Sequence, residues 1–405
     1  MEGRFSEQQD VNRTIQDEGQ WPQSSIIWQN LEQTVTVLDI PHSIELAQQF
    51  DDNDRRKLLS TEPIKEPYTP TEPKSKKALA ALPLKGINEL IQEKAIQLAL
   101  DEARQHVTDS WCLERTTPVN QEPKETVLSQ PPHLKEEITD HRSKRTKTEL
   151  DSTASAFANA DAILIPPGSE FIQSTISAHL SSFIASPAIY SLVLLDPPWP
   201  NRSVSRSSSY ATASTTPSVR SLLASIPLED KLGVGSYVGV WITNKPIFRD
   251  LILGTEDEEG LFEQWGVSLV EEWVWLKVTE NGQPVTPIEG VWRKPYEILL
   301  IGQRQPASAT FPLPLSSPDH GGVKRRIIIA VPDLHSRKPN LKELFESTLL
   351  QRQVAEAGSS RCLEIFARNL TAGWTSWGDE VLKFQGHEWW NEKLAKMDNT
   401  RAPNT

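Results

Sequence analysis

Beyond Asp161 the chain repeats one pattern: short, almost unbroken apolar runs rich in β-branched residues. They are AILI (162–165), YSLVLL (190–195), YVGVWIT (237–243), VEEWVWLKV (270–278), YEILLIG (296–302), RRIIIAVP (325–332) and RCLEIFAR (361–368). A strand with no polar face has to be covered on both sides. Stretches of helical period, such as LKELFESTLL (341–350), lie between several of the runs and can supply that cover. The pattern predicts an α/β domain over 160–392 with a largely parallel sheet between helices. Sheets of this kind hold ligands at the carboxyl ends of their strands, so the residues just beyond each run are where chemistry is expected.

The N-terminal portion reads differently. Residues 1–23 are polar and predict a disordered lead. SSIIWQNLEQTVTVLDI (24–40) holds two β-rich stretches, and the proline- and lysine-rich PTEPKSKK (70–77) breaks the chain beyond them. Ile87, Leu90, Ile91, Ala95, Ile96, Leu98 and Leu100 recur at helical spacing, which predicts an amphipathic helix near 84–107 inside an accessory region 24–112. Residues 113–152 carry charge and proline and predict a linker. The run HRSKRTK (141–147) within it is either a solvated stretch or a nuclear import signal. The second reading makes the nucleus the expected location, with the cytoplasm as an additional one. Residues 393–405 form a tail.

Composition removes several classes. A net charge of −12 has the wrong sign for a protein that coats nucleic acid by neutralising phosphates, so any such contact has to be local. Cys112 and Cys362, the two cysteines, lack metal-ligand spacing; neither a disulfide framework nor any metal site is expected. No apolar run reaches the ~18 residues of a membrane span, and an intracellular protein without membrane association is expected. Most of the thirteen tryptophans fall at or after Trp199, which suits a core or a site that stacks flat rings.

YSLVLL runs directly into DPPW (196–199). Pro197 and Pro198 have no N–H and a fixed φ, so they form a stiff, extended turn whose carbonyls need donors from elsewhere. Asp196 adds an anionic acceptor, and Trp199 a flat apolar wall. Acceptors along one edge with a stacking face beside them fit a planar ring that carries an amino group. Two plainer readings exist: a strand-ending turn with a core tryptophan, or a polyproline ligand for a partner domain, which requires DPPW to be exposed and flexible.

With the segments that surround it, DPPW resembles the signature of the adenine-N6 methyltransferases that use S-adenosylmethionine, and within them the methyltransferase-like protein 4 branch. The matching stretches are IPPGSEF (165–171), DPPWPNRSV (196–204), VWITNK (240–245), EWVWLKVTENG (272–282), RKPYEILLIG (293–302), VPDLHSRKPNL (331–341) and EIFARNLTAGWTSWGDEVLKFQ (364–385). The resemblance spans roughly the last 240 residues and is not carried by residues 1–150. It implies a Rossmann-like S-adenosylmethionine-dependent methyltransferase sheet with an N-terminal α/β extension. It implies that Asp196, Pro197, Pro198 and Trp199 are catalytic, with Asp196 and the Pro197 carbonyl accepting the two amino protons and Trp199 stacking on the base. For the cofactor it implies Asp196 together with His335 and Lys338 of the HxxKP loop, Glu364, Arg368 and Asn369 from the EIFAR strand, and Asp379 and Glu380 beyond it. Lys338 or Arg368 would meet the methionine carboxylate, Asp379 and Glu380 the ribose, and the backbone of Ile165 and Pro166 the adenine ring. The branch usually has Asn where this chain has Asp379, which keeps an acceptor and loses a donor.

Two polar loops flank the expected slot, 201–214 and 280–297. They supply Asn201, Arg202, Ser203, Arg206, Tyr210, Arg293, Lys294, Tyr296 and Glu297 as substrate contacts, an interleaving of basic and aromatic groups that suits a flipped or unpaired nucleotide. The implied partner is RNA or DNA with an accessible adenine, the branch's own substrate being 2′-O-methyladenosine in small nuclear RNA, and no obligate partner subunit is expected. The rival reading is a catalytically silent, nucleic-acid-binding subunit of another methyltransferase. Such subunits typically lose the acid of DPPW, which this chain keeps.

Overall fold

The computed structural model describes residues 22–49, 56–69, 85–118, 163–200, 215–290, 293–306, 323–334, 337–357 and 360–391. All but the last two residues of the expected disordered lead, the run HRSKRTK, the loop 201–214, His335 and the tail lie outside them.

Ten strands share one sheet: β1 (Ile26–Gln29), β2 (Val35–Leu38), β4 (Glu170–Gln173), β5 (Tyr190–Leu195), β6 (Leu232–Ile242), β7 (Val267–Lys277), β8 (Tyr296–Arg304), β9 (Lys324–Ala330), β10 (Cys362–Ile365) and β11 (Trp374–Gly378). Their order is β1-β2-β9-β7-β8-β6-β5-β10-β11-β4. Pairing is parallel except where β8 runs backwards between β6 and β7 and where β1 closes one edge against β2. A two-stranded antiparallel pair, β3 (Lys57–Leu58) with β12 (Trp390–Asn391), lies apart from it.

Strand β5 shows why the apolar runs needed cover on both sides. Leu192 and Leu194 join the layer that holds Trp241, Trp273, Leu299 and Phe345. Val193 and Leu195 join the other, with Val240, Phe248, Leu300 and Ile329. Alternate residues of one strand thus supply two cores. From β5 the chain moves outward through β6 and later returns to β10 on the other side, so strand order reverses at the β5/β10 boundary.

Several expectations change. AILI is not a strand; Ile163 makes only an isolated bridge to Gly386. Strands β4 and β11 were not anticipated, because GWTSWG reads as aromatic packing and SEFIQ lacks an apolar face. The accessory region joins the sheet itself: β1 and β2 are two of its strands, β2 pairing in parallel with β9. Helix α1 (Ile40–Gln48) follows β2, capped by the Asp39 carboxylate on the His42 N–H at 2.8 Å. The expected long helix is α2 (Ile87–His106), but its buried face is Glu93, Ile96, Ala99, Leu100 and Ala103, while Ile87, Leu90, Ile91 and Leu98 are exposed. Spacing found Ile96 and Leu100 of this face but not the rest, because the face also holds an acid, neutralised there by Lys85 and Lys294. Trp390 is buried and donates its indole N–H to the Phe384 carbonyl. Among the described residues no helix is long and apolar enough to cross a membrane, and no cluster of His, Cys, Asp and Glu could hold a metal ion.

Candidate active site

The carboxyl ends of β5, β6, β7, β9 and β10 share one edge of the sheet. Reversed β8 begins at that same edge. The topology therefore gathers Asp196 after β5, Lys277 ending β7, Glu297 near the start of β8, Lys338 beyond β9, and Glu364 in β10. The Asp196 N–H is bonded to the Ile365 carbonyl at 3.3 Å, which ties the DPPW turn to β10 at the order reversal.

A chain of alternating charges runs along this edge. Lys338 Nζ donates to both Asp196 oxygens, at 3.0 and 3.1 Å, and lies 3.0 Å from Glu297 Oε2. The other Glu297 oxygen accepts from Lys277. Each ammonium also sits over an indole, Lys338 at 5.3 Å from the Trp241 ring centre and Lys277 at 4.5 Å from that of Trp275. Burial works against charge on Lys338, but Asp196 and Glu297 outweigh it and raise its pKa. Burial alone would raise the Glu297 carboxyl; Lys338 and Lys277 overturn that and hold it at about 2. Glu364 lacks such compensation: burial, with the Asp196 charge adding, pushes it up to about 8 against Arg368 and Lys338.

The DPPW turn is held rather than loose. Pro197 is buried, and its carbonyl already accepts the Trp199 N–H at 2.8 Å, leaving one lone pair for a further donor. The Trp199 indole N–H is bonded to the Trp241 carbonyl at 2.7 Å, and its ring stacks on Phe248 at 4.5 Å. The exposed, flexible motif required of a polyproline ligand does not match this. Phe248 and Trp241 escaped the sequence reading, as did Lys277, although a lysine closing an apolar strand at the functional edge was a usable signal.

On the β10 side, Phe366 takes φ 64°, a strained value for a bulky residue, and ends the strand immediately after Ile365. The turn lies against the end of β11: a Cβ on Gly378 would meet the Ala367 carbonyl oxygen at 2.8 Å, so only glycine fits there. This sends Arg368 toward Glu380, its Nε 3.3 Å from Oε2, with Lys383 at 3.2 Å on the same carboxylate. Asp379 accepts the Glu380 N–H at 3.1 Å, and Asn369 is partly buried with its amide 3.5 Å from the Leu370 carbonyl. Ile165 is exposed, and the Pro166 carbonyl is met by Ser169. The donor set suits S-adenosylmethionine: this edge of the sheet carries a carboxyl, Glu364, that a further cation would help ionise, and guanidinium and ammonium groups able to meet a carboxylate.

The expected substrate contacts divide. Asn201, Arg202, Ser203, Arg206 and Tyr210 lie outside the described residues. Arg293 is exposed. Lys294 is not available as a substrate contact: its side chain is 8% exposed and paired with Glu89 at 2.8 Å and with Glu93 on α2. Tyr296 is likewise withdrawn, buried at the start of β8, where burial raises its phenol to about 12. Ion pairs to the acids of α2 hold Lys294, and the apolar core under the sheet takes in Tyr296. Glu297 belongs to the charge chain.

A mostly parallel sheet reversed at β8 and at its β1 edge, a carboxylate turn where strand order reverses and a cation on that carboxylate match a Rossmann-like methyltransferase. A family model described as MT-A70 matches residues 190–380. The chain is 36% identical over 382 residues to the N6-methyladenosine RNA methyltransferase MTA1 of Cryphonectria parasitica, covering 91% of this chain and 94% of that protein. It is 35% identical over 231 residues to the N(6)-adenine-specific methyltransferase METTL4 of Homo sapiens, covering 55% of this chain and 43% of that one. The DNA N6-methyl methyltransferase of Caenorhabditis elegans is 27% identical over 224 residues, 55% of this chain and 53% of that protein. The chain belongs to the MT-A70 family of S-adenosylmethionine-dependent adenine-N6 methyltransferases.

Proposed function

We propose that this chain methylates the N6 amino group of adenine in RNA. The observation that carries the reading is the Asp196 carboxylate at the strand-order reversal, held at 3.0 and 3.1 Å by Lys338. Adenine's amino lone pair is drawn into the ring, so the nitrogen is a poor nucleophile until its protons are engaged. Asp196 keeps lone pairs beyond those met by Lys338, and with the Pro197 carbonyl it accepts the two amino protons. That geometry draws the nitrogen toward tetrahedral and turns its lone pair outward. Trp199, fixed by Phe248 and the Trp241 carbonyl, offers its other face to the base. S-adenosylmethionine, when bound, supplies an electrophilic methyl on a sulfonium. Because a neutral amine attacks a cationic donor, orientation carries most of the rate, and the proton lost afterwards passes to Asp196 or to solvent.

Glu364 and Asp196 suit the donor's positive groups, Arg368 and Lys338 its carboxylate, and Asp379 and Glu380 its ribose hydroxyls. His335, Asn369, Ile165 and Pro166 complete the proposed pocket. RNA is favoured over DNA because relatives aligned over nearly the whole chain are named RNA methyltransferases. Resemblance to the METTL4 branch supports the finer reading, 2′-O-methyladenosine in small nuclear RNA, and HRSKRTK supports a nuclear location. The test is labelled-methyl transfer to matched RNA and DNA oligonucleotides, with and without 2′-O-methylation at the target. Asp196→Ala lowers turnover ~10²-fold or more; wild-type turnover in a folded Asp196→Ala protein refutes the assignment.

A further inference from the structure

We propose that Arg115, which lies outside every methyltransferase motif in the chain, is a positioning residue that sets the loop carrying Lys338. The inference rests on the reading that this loop serves the methyl donor and the Asp196 carboxylate. After β9 the chain leaves the sheet at Val331 and returns to a helix at Lys342. Both shoulders of this crossing are fixed by residues far earlier in the sequence. On the first, Arg115 donates Nη2–H to the Val331 carbonyl at 2.8 Å and Nη1–H to the Pro332 carbonyl at 2.9 Å. Its Nη1 is also 4.0 Å from the Asp333 carboxylate, with the two side chains 2% and 0% exposed. Asp333 in turn accepts the Thr61 N–H at 2.9 Å and the Arg337 guanidinium at 2.5 Å, and Arg337 donates to the Leu59 carbonyl at 3.0 Å. On the second shoulder the Asn340 N–H is bonded to Ser43 Oγ at 3.0 Å.

Lys338 stands between these anchors, so the position of its ammonium follows from segments 57–61 and 113–116 as much as from its own loop. Arg115 is itself registered: the Ser60 N–H bonds to the Thr116 carbonyl at 2.8 Å, and the Leu113 N–H to the Asp39 carboxylate at 3.0 Å. Two successive backbone carbonyls diverge, and the planar fork of arginine spans both, which a lysine's single ammonium does not. The N-terminal region thereby acts as part of the catalytic apparatus, beyond lending two strands to the sheet. A brace that served folding alone would lower the folded fraction without altering the kinetic constants of what remains folded.

The test compares Arg115→Lys, Asp333→Asn and Lys338→Ala in the full chain. It measures folded state by circular dichroism, S-adenosylmethionine affinity by calorimetry, and the separate KM values for donor and oligonucleotide with kcat. Misplacing a reacting group by about 1 Å costs on the order of 10²-fold, so kcat/KM for the donor falls by up to that factor in folded Arg115→Lys while the oligonucleotide KM holds. Asp333→Asn shows the same selective loss, and it decides the matter if Arg115→Lys does not fold. Wild-type donor constants in the folded variants, or an apparent kcat loss that only tracks the folded fraction, overturn the role of Arg115 provided Lys338→Ala is impaired. If neither variant folds, the role is also overturned, since the cluster then serves the core. An unimpaired Lys338→Ala instead sinks the donor-loop reading.

Discussion

Replacing Glu297 with glutamine removes the negative charge between Lys277 and Lys338 while preserving shape. The two ammonium groups hold its carboxyl at about 2, against 4.5 for the free side chain. At 1.36 kcal/mol per pKa unit, that difference favours the folded state by ~3 kcal/mol at neutral pH. The Lys277, Lys338 and Glu297 side chains are 26%, 21% and 24% exposed, so solvent trims the figure without cancelling it. A depressed carboxyl pKa stabilises fully above its unfolded value and is lost as pH falls through its folded value. The wild-type protein should thus exceed Glu297→Gln in unfolding free energy by ~2–3 kcal/mol at pH 7, by about half that at pH 3, and by little near pH 2. Denaturant unfolding followed by tryptophan fluorescence across this range measures the gap. Turnover falls too, because Lys338 is left with Asp196 as its remaining carboxylate and competes harder with the substrate amine. A gap that ignores pH, or one below about 0.5 kcal/mol as for an exposed pair, refutes the reasoning.

Glu364, raised to about 8, is protonated at pH 7 and ionises when a cationic donor arrives; calorimetry in buffers of different ionisation heat should record up to about one proton released per donor bound, and none in Glu364→Gln. The same raised pKa makes apo stability decline from about pH 4.5 to 8 and level off above, a slope that Glu364→Gln lacks. Trp199→Phe loses the bond to the Trp241 carbonyl, at about 1 kcal/mol of stability, whereas Trp199→Ala adds ~1–3 kcal/mol of lost stacking, read as a higher oligonucleotide KM. Lys294→Met weakens the docking of α2 by ~1–2 kcal/mol in thermal unfolding, with oligonucleotide kinetics unchanged; an altered KM would return Lys294 to the substrate.

Much of this molecule is local, and that part was legible. YSLVLL became β5 at the expected residues because five apolar or β-forming residues in a row of six, followed by an acid and two prolines, admit few other outcomes. DPPW marked the site, since an acid and a tryptophan at the end of a doubly covered strand have little structural reason to be there. The helix over 87–106 was legible from period, but not the whole of its buried side, because the deciding charges on Lys85 and Lys294 come from other segments. Lys294 and Tyr296 look like loop residues until β8 draws them inward.

By itself the sequence determined strands β5 to β10 and the DPPW turn that closes β5, for these depend on neighbours within a few positions, and its motifs implied the chemical class. The tertiary structure alone decided that Lys338 rests on Asp196, that Glu297 and Lys277 continue the charge chain, and that Arg115 reaches Val331 and Pro332. Those pairings join residues separated by long stretches of chain. Charges interact through space, and which of them meet depends on how the strands are ordered in the sheet.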